Sequence, residues 1–101
     1  MNTLDVIFVR VYLTESEGLL EQLLRCLHDE AKVQGVTVFR GITGFGKSGK
    51  MHSSSLLDMS LDLPVVVEFF DVPEKIDNIL DHVCKNVKPG HIVSWHGMLY
   101  M

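Results

Sequence analysis

Cysteine is scarce in this chain, with two residues at Cys26 and Cys84, and this is too few for a disulfide framework. Neither has a second thiol or imidazole at metal-ligand spacing, so both read as buried helix thiols. Excess positive charge is also missing. A formal net charge of −4 argues against a nucleic-acid binder, which needs a basic surface to neutralise phosphates. No apolar run approaches the roughly 20 residues of a membrane-spanning helix. The start, MNTLDVIFVRVYL, lacks the basic head and small-residue cleavage site of a signal peptide and alternates like a strand. A soluble cytoplasmic protein with no membrane insertion is expected. Internal repeats and low-complexity tracts are absent as well.

What remains is an ordinary globular composition, 47% hydrophobic and 22% charged over 101 residues, which predicts one domain over residues 1–101. Residues 4 to 13 carry apolar side chains at both parities, as an interior strand does. Thr14 and Glu17 have capping-box spacing ahead of a helical stripe of Leu19, Leu20, Leu23, Leu24, Leu27 and Ala31. Gly35 is the expected C′ residue of that helix. Val36 to Thr43 reads as a second strand, with Gly41 and Gly44 marking a bulge or a close backbone approach. Pro64 opens a third strand through Phe70, and Asp71-Val72-Pro73 starts a second helix with Ile76, Ile79, Leu80, Val83 and Val87 inward. Lys88-Pro89-Gly90 stops it, and His91 to Met101 is the last strand. The order βαββαβ predicts an α+β, ferredoxin-like split βαβ fold, an antiparallel sheet with two helices on one face. Its second face carries apolar residues too, which calls for cover from sister chains.

The longest unpatterned stretch, residues 44 to 62, is the most informative for function. Loops beyond about 12 to 15 residues in compact domains tend to be binding loops, lids or disordered segments. This one opens Gly44-Phe45-Gly46-Lys47-Ser48-Gly49-Lys50, and it has no carboxylate before Asp58. Gly44-x-x-x-x-Gly49-Lys50 matches the start of a phosphate-binding P-loop, but Met51 stands where a serine or threonine must hold magnesium. No periodic helix follows the lysine either, so an NTPase is rejected. Two readings of the loop remain. Glycines at 41, 44, 46 and 49 with Lys47, Lys50 and Ser53 to Ser55 can gather backbone amides and cations around an anion, or they can serve turns in a solvated loop.

The other candidates are weaker. His91 follows the Lys88-Pro89-Gly90 turn and either donates to a phosphate or simply opens a strand. His28, His82, His91 and His96 lack the spacing of a metal site, so no metal is expected. Glu68, inside an apolar strand, is best explained by an ion pair with Arg10 or Arg40. No triad or carboxylate pair is visible, so no catalytic residue is assigned. Phe45, between two glycines at the loop mouth, either anchors the loop or packs near a ligand.

The segments GVTVFRGITGFG and LPVVVEFFDV, with the long loop between them and His52-Ser53 inside it, resemble the nitrogen-regulatory PII proteins. They resemble more closely an uncharacterised PII-like family with a TV-RG--GFG strand, an HS dipeptide in the loop and LPVVVE-VD after it. The likeness covers nearly the whole chain and is densest from Gly35 to Asp71. It implies a trimeric, non-enzymatic sensor that binds an adenine nucleotide between subunits and regulates a partner, such as a membrane transporter, through a T-loop at residues 45–62. It implies no required cofactor, the nucleotide being a regulatory ligand.

Carried over by position, the PII GFG falls on Gly44, Phe45 and Gly46. The turn after the second helix falls on residues 86 to 91, with Gly90 matching a glycine and His91 replacing a lysine. The expected nucleotide-binding set is Gly41, Gly44, Phe45, Gly46, Lys47, Lys50, Lys88, Gly90 and His91. Departures narrow the expectation. Ser48 replaces a glutamine tied to magnesium and 2-oxoglutarate, the loop has no tyrosine for uridylylation, and the arginines that grip triphosphate are missing, so AMP or ADP suits the site better than ATP. Two alternatives stand beside this reading: a ligand-independent structural or metal-tolerance trimer of the same fold, and a small nucleotide-hydrolysing enzyme.

Overall fold

The computed structural model describes residues 1–46, 48–53 and 62–101. Its main sheet has four antiparallel strands in the order β2-β5-β1-β6, where β1 is Thr3–Thr14, β2 Gly35–Arg40, β5 Pro64–Asp71 and β6 Ile92–Tyr100. A two-stranded ribbon joins β3, Thr43–Gly44, to β4, His52–Ser53. Helix α1, Leu20–Arg25, runs on into a π-helical turn at Cys26–Glu30, and α2 is Pro73–His82. This is the expected α+β ferredoxin-like arrangement.

Strand parity decides which side of the sheet each residue meets. Val9, Val11 and Leu13 of β1 and Val65, Val67 and Phe69 of β5 are buried against Leu23 and Leu27 of the first helical segment and Ile76 and Ile79 of α2. The opposite face has no helix. It carries Phe8, Arg10, Tyr12, Val66, Glu68, Phe70, Phe39 and Trp95, as the register pairs Phe8 with Phe70 and Trp95 and Arg10 with Glu68. Phe8 stacks on Trp95 with ring centroids 5.6 Å apart and tilts against Phe70 at 5.2 Å.

Several boundaries differ from the sequence expectation. Thr14 N–H does donate to Glu17 Oε1 at 2.9 Å, but it closes a 3₁₀ turn at Glu15–Glu17, after which Gly18 at φ 69° resets the chain before α1. The helix ends at Glu30, and the reversal is made by Lys32 at φ 51°. Gly35 is therefore no helix cap. It opens β2, where a Cβ would lie 2.5 Å from Phe70 Cε1, so its missing side chain makes room for a ring. Strand β2 stops at Arg40 rather than Thr43, and α2 ends at His82, leaving Val87 packed on the core from beyond the helix.

Asp71 fastens these pieces. Its buried carboxylate accepts from Val72 N–H at 2.7 Å and Gln34 N–H at 3.1 Å and faces Lys75 Nζ at 3.3 Å. The same Lys75 ammonium donates to Lys32 O at 2.8 Å, so one cluster holds the turn before β2, the end of β5 and the start of α2.

Candidate functional site

Strands β2 and β1 end, and β5 and β6 begin, at one end of the sheet, and Gly41, Gly44 and His91 of the sequence-predicted set lie there. Gly41 leaves β2 by donating its N–H to Pro64 O at 2.7 Å, and a Cβ on Gly41 would stand 2.7 Å from Pro64 Cγ. Gly44 follows Gly41 over the same proline, with a Cβ position 3.4 Å from Pro64 Cγ. The close backbone approach expected at these two glycines is therefore present. The loop base crosses the mouth of β5 and then turns back as the ribbon in which Gly44 pairs with His52.

Beyond the ribbon's first strand, residues 45, 46 and 48–51 are exposed. Phe45 is 70% exposed and anchors nothing in the described structure. Gly46 O accepts the N–H of Gly49 at 3.0 Å, with Gly49 at φ 75°, and the Lys50 N–H donates to Ser48 Oγ at 3.3 Å. A Cβ on Gly46 would meet nothing within 4 Å. Lys47 and residues 54–61, including Ser54, Ser55 and Asp58, lie outside the described residues. Asp62, at the returning end, accepts from Ser16 N–H at 2.9 Å, and Leu63 O accepts from Glu15 N–H at 3.1 Å.

The second predicted segment reaches the same sheet end from β6. Lys88 O accepts from His91 N–H at 3.2 Å across a turn that Gly90 completes at φ 84°, and His91 O accepts from Tyr12 N–H at 2.8 Å. The loop base over β5 and His91 at β6 thus flank β1, two strand spacings or about 10 Å apart. The two grooves outlined beside α1 are lined by other residues than these.

Sequence reasoning missed what lies between the two segments. Tyr12, 41% exposed on the uncovered face, stands beside Arg10. Arg10 Nε donates to Glu68 Oε1 at 2.8 Å, the ion pair expected for Glu68, and its guanidinium lies 5.5 Å from the Trp95 ring centroid and 5.9 Å from that of Phe39. The hydrogen bond to Glu68, then one to Tyr12, raises the Arg10 pKa. The other candidate for Glu68, Arg40, pairs instead with Glu15. The alternating parity of β1 could have put Arg10 and Tyr12 on one face, but only the strand order brings Phe39 and Trp95 to them.

The thiols have no such setting. Burial, and then the neighbouring Cys26, push the Cys84 thiol up to about 11, and burial with Glu30 raises Cys26 as well. Among the described residues no three His, Cys, Asp or Glu side chains gather as a metal site. No described helix is long and apolar enough to cross a membrane.

Comparison with solved structures defines the class. CPII of Thiomonas intermedia K12, in complex with ADP and bicarbonate, is similar over 97% of this chain and 89% of its own, with a TM-score of 0.66 and 18% identity. A PII-like signalling protein of Thermus thermophilus is similar over 100% of this chain and 93% of its own, with a TM-score of 0.64 and 16% identity. The fold is that of the PII-like proteins.

In sequence, the chain belongs to the DUF190 family, described as Uncharacterized ACR, COG1993, which it matches over residues 6–97. A UPF0166 protein of Aquifex aeolicus (strain VF5) is 34% identical over 74 residues, 73% of this chain and 75% of that protein. A UPF0166 protein of Methanocaldococcus jannaschii is 28% identical over 79 residues, 78% of this chain and 71% of that protein.

Proposed function

We propose that this protein is a non-enzymatic PII-like regulator that binds an adenine nucleotide, AMP or ADP in preference to ATP, between the subunits of a homotrimer. The observation that carries this reading is that the Gly41–Gly44 segment lies over β5 and His91 opens β6 at the same end of the sheet, on either side of β1. Backbone amides near Gly44 and Gly46 and the side chains of Lys47, Lys50, Lys88 and His91 receive the phosphates. The facing wall of the cleft comes from a neighbouring subunit. The adenine nucleotides bound to CPII, a protein of the same fold, support the choice of ligand class.

Nucleotide binding changes the surface that the T-loop-like segment offers to a target protein. A membrane transporter is the target class that the PII resemblance implies, with the regulator acting from the cytoplasm. The test is a thermal-shift panel of AMP, ADP, ATP and cyclic AMP at millimolar concentration. A binder raises Tm as RT ln(1 + [L]/Kd) requires, and a panel that leaves Tm unmoved overturns the sensor reading. Chromatography of ATP after long incubation decides the enzymatic question, since a regulator leaves it intact.

A further inference from the structure

We propose that Arg40 is a further phosphate-binding residue and that Glu15 is the carboxylate it gives up when phosphate arrives, an exchange that unfastens the long loop at both of its legs. This rests on the nucleotide reading above and deepens it by naming the groups through which a bound ligand reaches the loop.

Arg40 is the last residue of β2, just before Gly41 begins the loop base. It pairs with Val65, which pairs in turn with Leu13, and Val65 is buried in the helix-side core, so Arg40 projects on that side of the sheet. Glu15 follows β1 in the 3₁₀ turn Glu15–Glu17. The Arg40–Glu15 ion pair therefore runs from β2 to β1 across the mouth of β5, the strand that lies between them. Gly41 and Gly44 lie over Pro64 at that same mouth, and His91 O meets Tyr12 N–H on the far side of β1. The guanidinium thus reaches from the loop base toward the His91 side.

The pair is built to be exchanged. Arg40 meets Glu15 through Nε, and its side chain is 67% exposed whereas that of Glu15 is 23% exposed. A guanidinium carries five N–H donors in a planar fork, so the outward end of Arg40 can take a phosphate in a two-point contact. A carboxylate brings one negative charge, whereas a terminal phosphate carries about −1.5 to −2 near neutral pH. Two anions on one guanidinium repel, and the more highly charged one keeps it. A partly exposed ion pair is worth no more than about a fivefold factor, which a nucleotide can outbid. Arg10, the other arginine of the sheet, is flanked by the Trp95 and Phe39 rings as well as held by Glu68, and it faces the other side.

Glu15 also holds the loop's returning leg. Its own N–H donates to Leu63 O at 3.1 Å, and the next amide, Ser16 N–H, donates to Asp62 Oδ1 at 2.9 Å. One short turn therefore grips the outgoing leg by the Arg40 side chain and the returning leg by two amides. The turn is itself tied to β1 by Thr14 N–H on Glu17 Oε1 at 2.9 Å, and Gly18 at φ 69° separates it from α1, so it can shift without carrying the helix along. Once Arg40 is on phosphate, the Glu15 carboxylate is left beside a second anion, and repulsion moves the turn off Leu63 and Asp62. Ligand at the outgoing leg is then felt at the returning leg without touching it.

The test is isothermal titration with ADP of the wild type, Arg40→Met, Glu15→Gln and the double variant, each checked for folding by circular dichroism. Arg40→Met is expected to raise the Kd about tenfold or more, the loss of a charge-assisted contact. Glu15→Gln is expected to lower it about two- to fivefold, because the guanidinium no longer has a competing carboxylate. On the Arg40→Met background the same Glu15→Gln change is expected to leave the Kd unmoved. Wild-type affinity in Arg40→Met, no gain in Glu15→Gln, or an equal gain with and without Arg40 overturns the exchange, the last outcome marking a general effect of charge. Wild-type protein that takes up no ADP overturns the nucleotide reading together with it, whereas a wild type that binds ADP no differently from its variants overturns the exchange alone. Hydrogen exchange on the unaltered protein is an independent check: the Glu15 and Ser16 amides should exchange faster with ADP bound, and equal or slower exchange there overturns the release of the loop.

Discussion

Gly97 lies beneath the ring of Phe8: a Cβ at position 97 would stand 2.5 Å from Phe8 Cε2 and 2.8 Å from Cδ2. The ring cannot simply swing aside, because it is stacked on Trp95 and tilted against Phe70. Gly97→Ala should therefore cost about 1 to 3 kcal/mol, the usual range for overpacking. Urea unfolding measures the loss. Trp95 is the single tryptophan, so its emission should shift in the folded variant as the stack is displaced.

Asp71 gives a second stability prediction. Replacing it with Ala strips acceptors from Val72 N–H and Gln34 N–H and leaves Lys75 without its carboxylate. A loss of roughly 1 to 3 kcal/mol follows from leaving part-buried donors without their acceptor at the junction of three elements. Lys75→Met removes only the partly exposed partner and should cost less than about 1 kcal/mol. Equal losses in chemical denaturation would contradict this division.

The thiols predict an alkaline instability. The Cys84 pKa is raised from 9.0 to about 11 in the folded protein, so folding favours the protonated thiol. Its contribution is complete below the unfolded pKa near 9.0 and is lost as pH rises through about 11. The urea midpoint of the wild type should fall across that window more steeply than that of Cys84→Ala. In native protein at pH 8, iodoacetamide should label half-buried Cys26 slowly and Cys84 only after unfolding.

Much of this architecture was legible in the chain because local patterns and tertiary packing agree. Residues 4 to 13 carry apolar groups at both parities because β1 sits between β5 and β6, and Pro73 opens α2 where a missing N–H does no harm. The misreadings have a common cause. Gly35 has the local look of a helix cap, but its role is to lie under Phe70, a residue paired from across the sheet. Arg10 likewise shows nothing locally of Trp95 or Phe39, which strand order supplies. The candidate site was only half readable. Glycine positions announced the approach to Pro64, whereas the placing of Pro64 and His91 on the two strands that flank β1 is a property of topology.

The glycines at the loop base separate folding from binding. Gly46 is not in a left-handed conformation, and a Cβ there would have no neighbour within 4 Å, so Gly46→Ala should leave the unliganded protein's stability within about 0.5 kcal/mol of wild type. If its amide meets phosphate, the methyl group obstructs that approach and the Kd for ADP should rise at least about tenfold, or 1.4 kcal/mol. Gly41→Ala should behave in the opposite way, losing stability before any ligand is added, because its Cβ would press on Pro64 Cγ at 2.7 Å. Gly90→Ala should show both effects, since φ 84° strains any residue with a side chain and the turn carries His91. Isothermal titration with ADP, set beside urea curves for all three variants, distinguishes these cases. If Gly46→Ala binds ADP as well as the wild type, the phosphate does not sit at Gly44 to Gly46, and the Lys88–His91 turn becomes the place to look for it.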